Sequence, residues 1–155
     1  MIRLELGAGS AEAGWTSVDR YDPRATVRAD FSRLPYPDGS VDHIRCSHGL
    51  EHVGWREVPG VLAEWRRVLC RWGTLWLMVP DLDYACRHWL DHEADGEWSL
   101  MLLFGSQEHE GQYHRCGFDR RTLHAALVSA GFEVRHVAPA HSHGQGCLVA
   151  EAFVA

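Results

Sequence analysis

The apolar run Ile2-Arg3-Leu4-Glu5-Leu6 ends on Gly7-Ala8-Gly9-Ser10, and one short segment later the chain reads Thr16-Ser17-Val18-Asp19. A strand that delivers closely spaced glycines to a tight turn lets the backbone approach a ligand where any Cβ would clash. An acidic residue ending the next strand offers acceptors to the hydroxyls of a ribose. This combination predicts an open α/β sheet with a nucleoside at the carboxyl ends of its first strands.

The rest of the chain repeats the alternation. Strands are expected at Arg3–Leu6, Thr16–Asp19, Thr26–Arg28, Val41–Ser47, Thr74–Val79, Phe132–Val137 and Cys147–Val154, interleaved with helical or loop segments. From about Glu57 to Cys70, Val58, Val61, Leu62, Trp65, Val68 and Leu69 recur at the spacing of one buried helix face. A second helix is marked by Asp119 as N-cap, Phe118 placed to staple against Leu123, and Gly131 as its stop. Between these two helices lies 81–117, rich in Trp, His and Tyr, with helical periodicity at Tyr84–Leu90 and Trp98–Phe104; it is expected to supply a lid or substrate pocket. Pro35-Tyr36-Pro37-Asp38-Gly39-Ser40 reads as a turn. The fold expected is α/β, a Rossmann-like doubly wound and mostly parallel seven-stranded sheet in one minimal domain, 1–155, with its first helix reduced.

A length of 155 residues suits one domain, and a net charge of −6 lacks the basic face that broad contact with a phosphate backbone calls for. A small-molecule acceptor is therefore expected over a nucleic acid. No apolar run approaches the roughly 18 residues of a membrane span, and Met1 leads directly into a strand, so a cytoplasmic protein with no membrane contact is expected. The five cysteines are scattered without a CxxC pair, which suggests neither a disulfide framework nor a structural zinc site.

A dinucleotide fingerprint would place a third glycine where Glu12 stands and its acidic residue later than Asp19. The segment from Ser10 to Trp15 is also too short for a full crossover helix, leaving no helix N-terminus to seat a diphosphate. A cationic nucleoside without phosphate fits better.

In this order and spacing the motifs resemble those of the class I S-adenosylmethionine-dependent methyltransferases. Leu4-Glu5-Leu6-Gly7-Ala8-Gly9-Ser10 is similar to their glycine motif, Val18-Asp19 to the ribose-binding acid, and Ala29-Asp30-Phe31 to the adenine clamp. Leu34 to Asp42 resembles the turn into the fourth strand, Ser47-His48-Gly49-Leu50-Glu51-His52-Val53 the loop after it, and Arg67 to Leu75 the turn into the fifth. The likeness is strongest to a small methyltransferase-11-like branch in which Gly-Gln-Glu and a later His precede the last helix, here Ser106-Gln107-Glu108 and His114. The chain departs from that pattern by beginning on its first strand, so closure over the cofactor is expected from the central insert.

The resemblance implies S-adenosyl-L-methionine as cofactor, held by Gly7, Ala8 and Gly9 at the methionine part, Asp19 with Arg20 at the ribose, Asp30 and Phe31 at the adenine, and His48 where the fourth strand ends. Methyl transfer from a sulfonium needs alignment and removal of the nucleophile's proton. His114 is the expected base because histidine titrates near neutrality, and Glu108 is expected to orient it or bind a substrate hydroxyl. The expected reaction is methylation of a small molecule, at a hydroxyl oxygen of a natural product or sugar. His48, Glu51 and His52 would share one face if their loop is helical, a set able to hold a divalent ion, although no metal is assigned. A metal-dependent methyltransferase acting on RNA or a catechol-like ring, and a catalytically silent cofactor-binding module, are the alternatives. Tyr84, Trp89, Trp98, Phe104 and Tyr113 are expected to form a pocket wall, core, or a homodimer contact, and His141 and His143 to be solvated on a turn.

Overall fold

A computed structural model describes residues 1–91, 96–142 and 145–155. Alternation of apolar and polar residues along the strands puts Leu4 and Leu6, Ile44 and Cys46, and Leu75 and Leu77 on one side of a sheet, in register across three neighbouring strands and almost fully buried. These strands belong to a seven-stranded sheet of order β3-β2-β1-β4-β5-β7-β6, formed by β1 (Arg3–Leu6), β2 (Thr16–Asp19), β3 (Val27–Arg28), β4 (Val41–Ser47), β5 (Leu69–Pro80), β6 (Glu133–Ser142) and β7 (Gln145–Phe153). The pairs from β3 through β5 are parallel, while β7 runs antiparallel to both β5 and β6. The order reverses between β1 and β4, and the space beyond the carboxyl ends of those strands is where an open α/β sheet can receive a ligand.

Two helices cover the apolar face. α1 (Val58–Val68) buries Val58, Val61, Leu62, Trp65 and Val68, with Pro59 in its first turn where the missing N–H is harmless. Arg67 on its other side bonds the Tyr36 and Leu34 carbonyls and pairs with Glu64 and Asp38, and Glu64 accepts from the Leu34 N–H at 2.8 Å. The Pro35–Ser40 turn is thereby fastened to the helix. α4 (Arg120–Ser129) starts on a capping box in which the Asp119 carboxylate accepts from the Thr122 N–H and the Thr122 hydroxyl accepts from the Asp119 N–H. Phe118 and Leu123 are both buried beside it, and Gly131 closes it at φ 85°.

α2 (Leu82–Asp91) and α3 (Gly96–Phe104) form the bulk of the insert and pack mainly on each other. β5 starts earlier than its apolar core suggests, directly at the end of α1, because Trp72 takes a left-handed conformation at φ 66° and the extra residues are absorbed as an irregularity in the pairing with β4. β6 and β7 likewise extend into a longer antiparallel hairpin than expected, so His141 lies on β6 and is exposed, not on a turn. His143 lies outside the described residues.

Neither the β1–β2 nor the β2–β3 connection contains a helix. The opposite face of the sheet consequently carries half-buried side chains, among them Glu5, Arg45, Trp76 and Met78. Arg45 there pairs with Glu5 at 2.8 Å and lies over the Trp15 ring, with Glu12 3.7 Å away. The residue in the third-glycine position thus serves a surface ion pair.

Removal of the capping carboxylate in Asp119→Ala is expected to cost about 1 kcal/mol. Trp65→Ala, which empties the most voluminous fully buried site, should cost about 3–5 kcal/mol. Urea denaturation followed by circular dichroism measures both.

Candidate active site

At the carboxyl ends of β1, β2 and β4 the structure opens a cleft of about 1130 Å³. Gly7, Gly9, Asp19, Arg20, Asp30, Phe31 and His48 all line it; Ala8 does not. Gly7 leaves β1 at φ 72°, a left-handed conformation that strains any residue with a Cβ, and its N–H bonds the Val18 carbonyl at 2.9 Å. At Gly9 a Cβ would stand 1.9 Å from Oδ2 of Asp22. The turn brings bare backbone to the cleft, as the spacing predicts.

Asp19 closes β2 with only part of its carboxylate available. Oδ1 accepts from the N–H groups of Tyr21 and Asp22 at 2.6 and 2.8 Å, which shapes the next turn. Oδ2 accepts no hydrogen bond among the described residues and is open to the cleft. Asp30 is more fully engaged: Oδ1 accepts from the Ser32 N–H at 2.8 Å and Oδ2 from the Arg20 guanidinium at 3.0 Å. Burial acts to raise its pKa, but the Ser32 hydrogen bonds and the Arg20 charge outweigh it and hold the carboxyl below its usual range. Asp30 therefore reaches the cleft as an ion pair with Arg20, not as a free carboxylate. Phe31 is fixed from beneath, with its carbonyl accepting from the Trp65 indole at 2.9 Å and its ring edge-on to that indole at 5.8 Å.

Gly49, quoted in the sequence only as part of a motif, proves to be a cleft residue. A Cβ there would lie 2.6 Å from the Cys46 sulfur and 3.8 Å from the Phe31 ring. The signal for it was its place just after a strand end, where backbone crowds a ligand.

The end of β4 gathers the histidines. His48 takes φ 53°, and a single 3₁₀ turn follows at Leu50–His52. The His48 Nε2 is 3.9 Å from the Cys147 sulfur and its Nδ1 is 3.3 Å from Oε1 of Glu51; the Cys147 and Glu51 contacts push its pKa up to about 10. Glu51 is only 1% exposed. Its backbone carbonyl accepts from the N–H groups of Arg115 and Cys116, tying the turn to the end of the insert. His52 lines the cleft and bonds the Tyr113 carbonyl through Nδ1 at 3.0 Å. His114 stands behind it with ring centroids 5.1 Å apart, bonding the Leu102 carbonyl through Nδ1 at 3.1 Å. Burial lowers the His114 pKa, so the ring is neutral near pH 7.

The set that converges is accordingly Glu51, His52 and His114, whose ligand atoms lie within 4.8 Å of one another. Sequence spacing pointed to His48, Glu51 and His52; His114 joins from far along the chain, and His48 faces Cys147 as well as Glu51. His114 does not itself line the cleft, and Glu108 is exposed and belongs neither to the cleft wall nor to this cluster. Of the insert, His109 to Gln112 and Arg115 reach the cleft, where His109 stands 6.4 Å from the Tyr21 ring. Tyr84, Trp89, Trp98, Phe104 and Tyr113 do not line it, so the expected aromatic wall is absent from the cleft. Tyr84 instead packs on Gly146, where a Cβ would be 2.3 Å from its ring.

Comparison with known proteins follows this geometry. A family model described as a methyltransferase domain matches residues 4–77, the segment that holds β1 to β4, α1 and most of β5. Residues 4–77 are thus similar to a methyltransferase domain, in keeping with the resemblance to the class I S-adenosylmethionine-dependent methyltransferases. It is 32% identical over 110 residues to an uncharacterized 37.1 kDa protein in transposon Tn4556 of Streptomyces fradiae, a match that takes in 71% of this chain and 29% of that protein. The chain thus spans under a third of the length of the curated relative it matches.

Among solved structures, the Burkholderia thailandensis 1,6-didemethyltoxoflavin-N1-methyltransferase, bound to 1,6-didemethyltoxoflavin and S-adenosylhomocysteine, superposes with a TM-score of 0.69 at 18% identity, covering 99% of this chain and 70% of that one. An S-adenosylmethionine-dependent methyltransferase from Aquifex aeolicus gives 0.64 at 15% identity over 100% of this chain and 82% of that one. These likenesses establish the fold. The cleft is compatible with a nucleoside of that kind: Gly7 and Gly9 leave backbone bare and Asp19 keeps one oxygen free.

In Gly49→Ala the new methyl meets the fully buried Cys46 sulfur, and a destabilisation of about 1–3 kcal/mol is expected. Cys46→Ala in the same chain should recover part of it. Equal stability losses in the single and double variants, read from denaturant midpoints, would contradict this packing.

Proposed function

We propose that the chain transfers a methyl group from S-adenosylmethionine to a hydroxyl oxygen of a small molecule. The observation that carries this reading is the cleft itself, which joins a glycine turn, one free oxygen of Asp19, the Phe31 ring and the His52 imidazole in one continuous wall. Bound there, S-adenosylmethionine supplies an electrophilic methyl on a sulfonium.

The chain's own residues do the rest. Gly7 and Gly9 admit the methionine part, and Asp19 Oδ2 accepts from a ribose hydroxyl. The Phe31 ring, braced by Trp65, gives the adenine an apolar floor. The absence of a helix between β1 and β2 removes the dipole that would favour a diphosphate. At the other end of the cleft an acceptor meets His52, with neutral His114 directly behind it. Both imidazoles bond a carbonyl through Nδ1, which leaves Nε2 as the atom that can take a proton. His114 thus supports proton removal from behind the wall rather than at it. A hydroxyl acceptor agrees with this, because it needs help losing its proton, and the net charge of −6 favours a small molecule over a nucleic acid.

Loss of a hydrogen bond to a charged partner is worth about 1.5–3 kcal/mol. Asp19→Ala should therefore weaken S-adenosylhomocysteine binding by roughly 10- to 100-fold in titration calorimetry, and His114→Ala should leave that affinity in place while lowering methyl transfer to a panel of hydroxylated acceptors. An unmodified chain that gives no heat with either form of the nucleoside at millimolar concentration would sink the reading.

A further inference from the structure

Glu51 presents a problem that the methyl-transfer reading leaves unsolved. Its side chain is 2% exposed, and among the described residues no hydrogen-bond donor serves either carboxylate oxygen. The His48 ring, 3.3 Å from Oε1, gives that oxygen an ion-pair contact without the alignment of a hydrogen bond, and Oε2 has no partner among the described residues. A buried carboxylate with one oxygen left unserved is costly, and a cation or donor that reached that oxygen would offset the cost.

The atoms around it are suited to one class of partner. His52 and His114 converge on the carboxylate, with the ligand atoms of all three residues within 4.8 Å of one another. Each imidazole has Nδ1 on a backbone carbonyl, Tyr113 for His52 and Leu102 for His114. A carbonyl can only accept, so Nδ1 carries the proton and Nε2 carries the lone pair. Histidines that ligate metals are oriented in this way, with the second nitrogen donating to a carbonyl or carboxylate. The three residues come from two segments that backbone hydrogen bonds hold together, Arg115 and Cys116 N–H to the Glu51 carbonyl, so the arrangement is built before any ion arrives.

We propose that Glu51, His52 and His114 bind a divalent first-row transition ion of the zinc type. Two imidazoles and one carboxylate leave room for a further ligand, and imidazole donors select such ions over magnesium or calcium, which prefer all-oxygen shells. Glu51 and His114 line a small cavity behind the cleft, while His52 lines the cleft itself. The ion would therefore stand in the wall between the two. Its use in the reaction rests on the methyl-transfer reading above but takes over the imidazoles' part in proton removal, since their Nε2 lone pairs would go to the ion: an ion at that wall would receive an oxygen of the acceptor and make a hydroxyl there more acidic, its proton leaving to solvent. The binding of the ion does not rest on it.

The test uses the untagged full chain, stripped with chelator and titrated with cobalt(II) by visible absorption and with zinc by calorimetry, with S-adenosylhomocysteine binding measured in parallel. One equivalent of ion is expected to bind, with affinity reduced in Glu51→Gln and in His52→Ala by more than the roughly 10- to 100-fold that loss of an outer partner causes. His124→Ala, on the exposed side of α4, should bind as the unmodified chain does. His52 is partly exposed, so its variant keeps the test decisive if the buried Glu51 change disturbs folding. A chain that binds S-adenosylhomocysteine but no ion, or that binds the ion equally well in both variants, overturns the proposal and leaves the cofactor reading standing. Absence of S-adenosylhomocysteine binding with ion binding intact would do the reverse.

Discussion

The Trp65 indole is the joint on which both core and cleft depend. It is fully buried under the sheet, and its one polar atom donates to the Phe31 carbonyl at 2.9 Å. A buried indole N–H needs a partner, and here the partner is the backbone of the residue whose ring forms the cleft floor. Phe31 in turn lies just under 4 Å from the positions where Gly7 and Gly49 would carry Cβ atoms. The packing of α1 on the sheet thus fixes the two turns that end β1 and β4. Core and site are one assembly.

The same economy governs the charged residues. Asp19, Asp22 and Asp30 each use oxygens to bind nearby backbone or arginine, so the acidic rim of the cleft is mostly spent on holding its own loops. Glu51 is the exception, since its backbone joins the segments while its carboxylate, met by the His48 ring at 3.3 Å, accepts no hydrogen bond among the described residues. Two imidazoles, those of His52 and His114, converge on this buried side chain.

How much of this could be read from the sequence follows the range of the forces involved. β1, β2 and β4 and the helices α1 and α4 were legible because their signals are local: alternation at period two, a stripe at period 3.6, and an Asp119–Thr122 cap within one turn. The residues that line the cleft were legible because glycines and an acid at strand ends are put there by the strands themselves. Residues brought together by packing were not. Glu51 and His52 read as the polar side of a short turn, and nothing near them in sequence announces that His114 arrives from the far side of the insert. The insert's aromatics misled in the opposite sense, since ring content says nothing of which way α2 and α3 turn, and they turn toward each other. The early start of β5 was hidden because it needs Trp72 in a conformation that bulky side chains seldom take.

The bare loops joining β1 to β2 and β2 to β3 would give a nucleoside bound in the proposed way a second task. In a sheet layered on both sides, those strands would be clamped from above and below; here their packing comes chiefly from one side, and the turns at their ends are held by short-range hydrogen bonds. A molecule that spans the ends of β1, β2 and β4 bridges the least supported part of the scaffold. Such a molecule would complete the architecture as well as react in it, making stability and chemistry two readouts of the same occupancy.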